Sequence, residues 1–280
     1  MRTDIPAFYS KWFLNRIKEG YVCVRNPYSP KQVTKYSLSP EVVDLIAFCT
    51  KNPLPMLPFL DELKPYGQYW FVTITPYGRD IEPNVPDKET VMEGFKALSD
   101  VVGVDSMGWR YDPIFIDKKH SVEWHISEFE KIAEILAGYT KTCVISFIDI
   151  YKKVERNFPE AKSVRAEDRA MIGKSFVKIA SKYGMVLKPC AEGEDLAKYG
   201  ADCSGCMTVH TFETALNSRL EVPKRKKNQR NGECACLLGT DIGAYDTCGH
   251  LCKYCYANVN PVLVKENMKK HNPVSPFLIG

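Results

Sequence analysis

Short apolar runs alternate with amphipathic helical patterns through the first two-thirds of the chain, and this alternation narrows the fold more than any other feature. Candidate strands are Tyr21–Val24, Val43–Phe48, Tyr69–Thr75, Ser106–Arg110, Cys143–Ile150 and Met185–Lys188. Several are apolar on both faces, as parallel strands covered by helices are. Between them Val122, Ile126, Phe129, Ala133 and Leu136 step by 4, 3, 4 and 3, which sets them on one helical stripe. Ile172, Phe176, Ile179 and Tyr183 make a second stripe. A third helix opens at Asp87-Lys88-Glu89-Thr90, turns Val91, Phe95 and Leu98 inward, and stops at Gly103. Repeated βα order implies right-handed crossovers and a parallel sheet, open or closed.

The strand endings are also alike: Arg25-Asn26-Pro27, Lys51-Asn52-Pro53, Arg110-Tyr111-Asp112-Pro113 and Lys188-Pro189. Proline ends each strand, and the polar residues before it gather at the carboxyl edge, where parallel α/β barrels keep their chemistry. The dinucleotide fingerprint G-x-G-x-x-G is absent. The expected fold is therefore α/β: a complete or partial TIM-like parallel β/α barrel over residues 1–200. At 280 residues and 45% apolar content the chain can bury a core of that size. Residues 201–280 read as a cysteine-rich appendage packed on the barrel mouth, part of the same folding unit. Within it a helix is expected over Val209–Arg219 and a short one over Val262–Met268.

Five of the eleven cysteines fall in Cys234-Ala-Cys236 and Cys248-Gly-His-Leu-Cys252-Lys-Tyr-Cys255. The start of the chain lacks a signal-peptide core, and no run reaches the ~18 apolar residues of a membrane span. The expected setting is cytoplasmic, with no membrane, and there cysteines stay thiols or bind metal. Three thiolates at C-x3-C-x2-C can hold three corners of a cubane iron–sulfur cluster and leave one iron unclaimed. If Cys234 or Cys236 supplies a fourth ligand, the cluster is closed, or the site is a tetrahedral zinc knot. Cys203-Ser204-Gly205-Cys206 is a further C-x2-C pair: half of a second metal site with Cys190 or the Cys234/Cys236 pair, a redox dithiol, or two unpartnered loop thiols. Cys23, Cys49 and Cys143, in or beside apolar strands, read as small buried hydrophobes.

Lys51, Arg110, Asp112, Asp149 and Glu192 stand at strand ends and form the candidate catalytic set. Arg110 could take a carboxylate bidentately and Lys51 adds a point charge. The plainer reading is a set of internal salt bridges, such as Arg110 with Asp149. His125 falls in a helix as a surface or packing residue, and His250, inside the cysteine loop, could bond a cluster sulfide or stay solvated. Net charge is only +4, so bulk charge demands no polyanionic partner. The basic run Lys224–Arg230 lacks interleaved aromatics, so nucleic acid is weakly supported, and it reads as a solvated loop, with binding of a phosphate or a cofactor carboxylate the minority reading.

Thr50-Lys51-Asn52-Pro53, Trp109-Arg110-Tyr111-Asp112-Pro113-Ile114, Ile145-Ser146-Phe147-Ile148-Asp149 and the stretch from Asp241 to Asn258 resemble the bacterial domain-of-unknown-function 1848 family. The likeness runs from Asp4-Ile5-Pro6-Ala7 to the cysteine tail. That family's C-terminal cysteines are similar to the cluster loop of radical S-adenosylmethionine (SAM) enzymes. The resemblance implies a [4Fe-4S] cluster on Cys248, Cys252 and Cys255, with SAM as second cofactor and Tyr254 packed near its adenine. Arg110 and Glu192 would help bind the cofactor; the chain departs from such enzymes in having no clear Gly-Gly-Glu segment, for which Ala191-Glu192-Gly193-Glu194 is a weak substitute. An electron donor such as a ferredoxin or flavodoxin would then be a partner, and the substrate, small or macromolecular, is undefined. Only 25 residues follow Cys255, so the loop must reach the barrel mouth from the carboxyl end of the chain.

Overall fold

The computed structural model describes residues 1–222, 236–237 and 240–280. Two helices open the chain, α1 (Ile5–Phe8) and α2 (Ser10–Glu19). Asp4 caps the first by accepting from the Ala7 amide at 3.0 Å. A hairpin follows, β1 (Tyr21–Asn26) paired antiparallel with β2 (Ser29–Ser37). The first candidate strand thus belongs to a separate two-stranded sheet and not to the parallel repeat. Its ending, Arg25-Asn26-Pro27, leads into a hairpin turn in which Asn26 Oδ1 accepts from the Tyr28 amide at 2.9 Å. The partner strand is exposed along almost its whole length, so it has no buried face for an alternating pattern to reveal.

The main sheet contains β3 (Leu45–Thr50), β4 (Gly67–Thr73), β5 (Met107–Ile114), β6 (Thr142–Phe147) and β7 (Val186–Pro189). All neighbouring pairs are parallel and the spatial order is β3-β4-β5-β6-β7. Consecutive strands are adjacent throughout, as in the wall of a β/α barrel. Among the described residues no strand joins β7 back to β3, so the expectation of a parallel α/β sheet holds at the level of a five-stranded sheet.

The crossovers carry α3 (Lys88–Val102), α4 (Val122–Leu136), α5 (Lys152–Asn157) and α6 (Ala166–Lys182). Their apolar stripes meet on the sheet. Phe129 of α4 stacks on Phe176 of α6 at 3.7 Å between ring centroids and on Trp109 of β5 at 4.7 Å. All three rings are fully buried. Two shorter helices follow, α7 (Val209–Leu216) and α8 (Pro261–Lys269). Phe212 of α7 packs edge-on against Tyr69 of β4. The last residues return to the start: Trp12 Nε1 donates to the Ser275 carbonyl oxygen at 2.9 Å and the Cys23 amide to that of Pro276 at 2.9 Å. Among the described residues no helix is long and apolar enough to cross a membrane.

His125, expected as a surface or packing residue, is wholly buried in α4. Its Nε2–H donates to the Phe115 carbonyl oxygen at 2.8 Å while Nδ1 accepts from the Tyr111 hydroxyl at 2.8 Å. Those partners suit the neutral ring, and burial pushes its pKa from 6.5 down to about 4. A depressed folded-state value means that the unfolded chain takes up the proton first as the medium is acidified. Stability should therefore be full above pH 6.5 and fall as pH drops towards 4, by up to roughly 3 kcal/mol. Denaturant unfolding of the wild type and His125→Gln at pH 7 and pH 4.5 checks this: the variant should lose most of the pH dependence.

Candidate metal centre

The carboxyl edge of the sheet carries a buried carboxylate that sequence reasoning missed. Glu82, in the loop between β4 and α3, is 1% exposed. Its Oε1 accepts from Lys51 Nζ at 2.8 Å and from Thr75 Oγ1 at 2.6 Å, and it also bonds the Lys88 ammonium and the Tyr254 hydroxyl. Burial alone would raise the Glu82 pKa, but Lys51 and Lys88 more than offset it and hold the acid down at about 2. Burial opposes the charge on Lys51, yet Glu82 keeps its pKa above the ordinary lysine value. Asp4 is the second missed carboxylate. Besides capping α1, its Oδ2 accepts from the Lys51 amide at 2.7 Å and lies 2.8 Å from His250 Nε2.

These two carboxylates fasten the cysteine loop to the sheet edge. Glu82 holds Tyr254, and Asp4 holds His250. His250 is 2% exposed and so is not solvated: Nε2 lies 2.8 Å from Asp4 Oδ2 and Nδ1 3.3 Å from the Asn84 carbonyl oxygen. Backbone bonds complete the attachment. The Asn84 amide donates to the His250 carbonyl oxygen at 3.2 Å, Asn84 Nδ2 to that of Gly249 at 2.8 Å, and the Lys253 amide to that of Ile81 at 3.0 Å. Tyr9 donates its hydroxyl to the Thr247 carbonyl oxygen at 2.7 Å. Gly249 has no room for a side chain, since a Cβ there would lie 2.8 Å from the Phe8 ring. Leu251 takes φ +57°, a conformation that L residues adopt only when their surroundings impose it.

Within this loop Cys252 is buried and Cys248 and Cys255 are half-buried. Burial pushes all three thiols up, Cys252 to about 12. Cys248 also feels the charges of Asp4, Cys255 and Cys252, and Cys252 those of Glu82 and Cys255, so the three sulfurs share one neighbourhood. Lys51 acts on Cys252 in the opposite sense. The Ala257 amide donates to Cys255 Sγ at 3.4 Å. Soft donors with an N–H and an ammonium at hand suit a thiophilic metal or cluster, which deprotonates its thiol ligands. Among the described residues, no three His, Cys, Asp or Glu side chains stand ready-placed around a metal ion.

The strand-end set divides into local ion pairs. Lys51 pairs with Glu82. Arg110 pairs with Asp112 on its own strand, and its Nη1 lies 3.9 Å from Cys206 Sγ. Glu192 accepts from the Phe147 amide at 2.8 Å and Ser146 Oγ at 3.2 Å and pairs with Arg169 of α6. Burial raises the Glu192 pKa. Asp149 is exposed and accepts from the Tyr151 hydroxyl at 3.0 Å. Tyr254 has its ring 6.1 Å from that of Tyr77 and 5.5 Å from the Lys51 ammonium. Cys236 sits 3.3 Å from Cys206, which in turn lies 3.8 Å from Cys190. Cys143 is buried as expected, whereas Cys23 and Cys49 are half-buried. Cys234 and the run Lys224–Arg230 lie outside the described residues.

A family model described as "Domain of unknown function (DUF1848)" matches residues 1–257. No curated protein and no solved structure matches the chain.

Removing the Glu82 carboxylate leaves Lys51 and Lys88 buried without their shared counter-charge. Glu82→Ala is expected to cost about 3–5 kcal/mol in denaturant unfolding. Thr75→Val, which removes one neutral donor and leaves the ion pairs, should cost roughly 1–2 kcal/mol.

Proposed function

Because the chain belongs to the DUF1848 family, whose matched span takes in the whole loop from Cys248 to Cys255, we propose that this loop holds a [4Fe-4S] cluster and that the protein is a radical SAM-type enzyme. The observation that carries the reading is the placement of the C-x3-C-x2-C thiols, Cys252 buried and Cys248 and Cys255 half-buried, on a loop that Asp4 and Glu82 clip to the sheet's carboxyl edge. Cys248, Cys252 and Cys255 would be the ligands. A cluster held by these three thiols would supply the reducing electron for SAM cleavage and so the radical chemistry of such enzymes.

The chain's own residues prepare that place. Lys51 sets a positive charge beside Cys252, and the Ala257 amide donates to Cys255. Glu82 orients both Lys51 and Tyr254, so the ammonium and the aromatic ring keep fixed positions beside the thiols. Arg110 stands farther along the edge for an anionic group, with Asp112 holding its guanidinium. Glu192 would meet the cofactor from the β7 side. The five adjacent parallel strands read as consecutive staves of a TIM-like barrel, with residues 201–280 laid over its mouth. The contact of Cys236 with Cys206 favours an open iron over a cluster closed by Cys236. A small reductase partner such as a ferredoxin or flavodoxin would deliver the electron.

Electron paramagnetic resonance of anaerobically prepared, reduced protein is the test. A cubane signal should appear, shift when SAM is added, and vanish in Cys248→Ala, Cys252→Ala and Cys255→Ala. A signal unmoved by SAM contradicts the open iron, and a colourless protein carrying zinc on this loop contradicts the cluster.

A further inference from the structure

A second group of thiols lies on the other side of Arg110. Cys190 follows directly on β7, Cys206 ends the Cys203-Ser204-Gly205-Cys206 turn, and Cys236 comes from the stretch after α7. Cys206 Sγ stands in the middle, 3.8 Å from Cys190 Sγ and 3.3 Å from Cys236 Sγ. Cys206 is 1% and Cys236 6% exposed, within a small apolar cluster that includes Tyr69, Phe71, Val144 and Phe212. Three sulfurs brought together from positions 190, 206 and 236 are not a by-product of local chain geometry. A buried apolar core has no use for three adjoining thiols that three alanines or valines could fill.

As they stand the thiols hold their protons and, among the described residues, are not preset around an ion. The bond to Cys206 and burial push the Cys190 thiol up. For Cys206 the bond to Cys190 acts downward, but the bond to Cys236 and burial outweigh it and put that thiol at about 11. The Met207 amide donates to Cys236 Sγ at 3.3 Å, and Arg110 Nη1 lies 3.9 Å from Cys206 Sγ. Arg110 is 14% exposed, with its guanidinium over the Phe71 ring, so its charge acts through little solvent. The C-x2-C turn is fixed from below by Lys188, which pairs with Asp202 at 2.8 Å and donates to the Gly205 carbonyl oxygen at 3.4 Å. Gly205 takes φ +111°, which a side chain would resist. Cys203 keeps its sulfur by the Ala201 carbonyl oxygen at 3.9 Å and is not counted with the three.

We propose that Cys190, Cys206 and Cys236 bind a single thiophilic divalent ion of the zinc type, separate from the loop of Cys248, Cys252 and Cys255. Zinc–thiolate bonds of about 2.3 Å in a tetrahedron place sulfurs about 3.8 Å apart. The Cys190–Cys206 separation already has that value. The Cys206–Cys236 pair, held closer by a shared thiol proton, must open by about half an ångström when that proton leaves and the ion enters. Three thiolates on a divalent ion leave one net negative charge, which Arg110 faces. A fourth donor completes the tetrahedron. The ion would tie the stretch carrying Cys236 to β7 and so to the sheet, giving the appendage a covalent-strength anchor that its own small core does not supply.

The test is metal analysis of anaerobically purified full-length protein, with zinc-edge X-ray absorption on the same samples. Wild type should carry one zinc per chain, with three sulfurs at about 2.3 Å. Cys206→Ser and, at the less buried position, Cys190→Ser should each lower zinc at least tenfold. The triple variant Cys248→Ser/Cys252→Ser/Cys255→Ser should keep it. Titration of metal-stripped wild type with cobalt(II) keeps the claim testable if a variant misfolds, and thiolate-to-cobalt charge-transfer absorption should saturate at one equivalent. Zinc retained in Cys206→Ser would overturn the proposal. So would iron and no zinc at these thiols, a Cys206–Cys236 disulfide in the isolated protein, or no charge-transfer band with cobalt.

Discussion

A carboxylate stays ionised inside a protein only if positive charge and hydrogen bonds replace the water it has lost. Glu82 meets that condition with two ammonium groups and two hydroxyls drawn from four places in the chain: Lys51 after β3, Thr75 after β4, Lys88 at the start of α3 and Tyr254 in the cysteine loop. Asp4 is a smaller hub, joining α1, the backbone after β3 and His250 by hydrogen bonds. The sheet edge and the terminal loop are thereby one structure. Each carboxylate demands its partners, and the partners it demands are what bring three cysteines from the far end of the chain against the first strands of the sheet.

This dependence accounts for the unusual chain order. A loop located some 200 residues after β3 packs beside β3 and β4 because the N-terminal helices and the C-terminal tail hold each other. Tyr9 bonds Thr247, and Trp12 bonds Ser275. Arg110 and Asp112 occupy the middle of the edge, with the terminal cysteine loop toward β3 and the Cys190/Cys206/Cys236 group toward β7. Two groups of thiols flanking one half-buried ion pair give this sheet edge a chemistry dominated by sulfur and fixed charge.

Much of this architecture is legible in the amino-acid order. The stripes at Val122–Leu136 and around Phe176 forecast α4 and α6, because burial on one face imposes the 3.6-residue period. Asp87 and Gly103 forecast both ends of α3. Tyr21–Val24 is legible as a strand but not as an antiparallel one, since its partner is exposed and polar. The candidate site was legible by residue type at the densely spaced cysteines, and Lys51 by its place at a strand end before Pro53. It was not legible at Glu82, one of three acids, with Asp80 and Asp87, in a proline-rich loop with no periodicity to single it out. Pairing partners were also hidden: Arg110 chooses Asp112 by strand geometry and Glu192 chooses Arg169 by the packing of α6.

The most direct test of the account is anomalous diffraction from crystals of anaerobically prepared protein, recorded on either side of the iron absorption edge. The account predicts an iron anomalous peak within bonding distance of Cys248, Cys252 and Cys255, on a loop still held by His250 to Asp4 and by Tyr254 to Glu82. Loop thiols with no iron between them in fully reconstituted protein, or iron bound elsewhere, would contradict it.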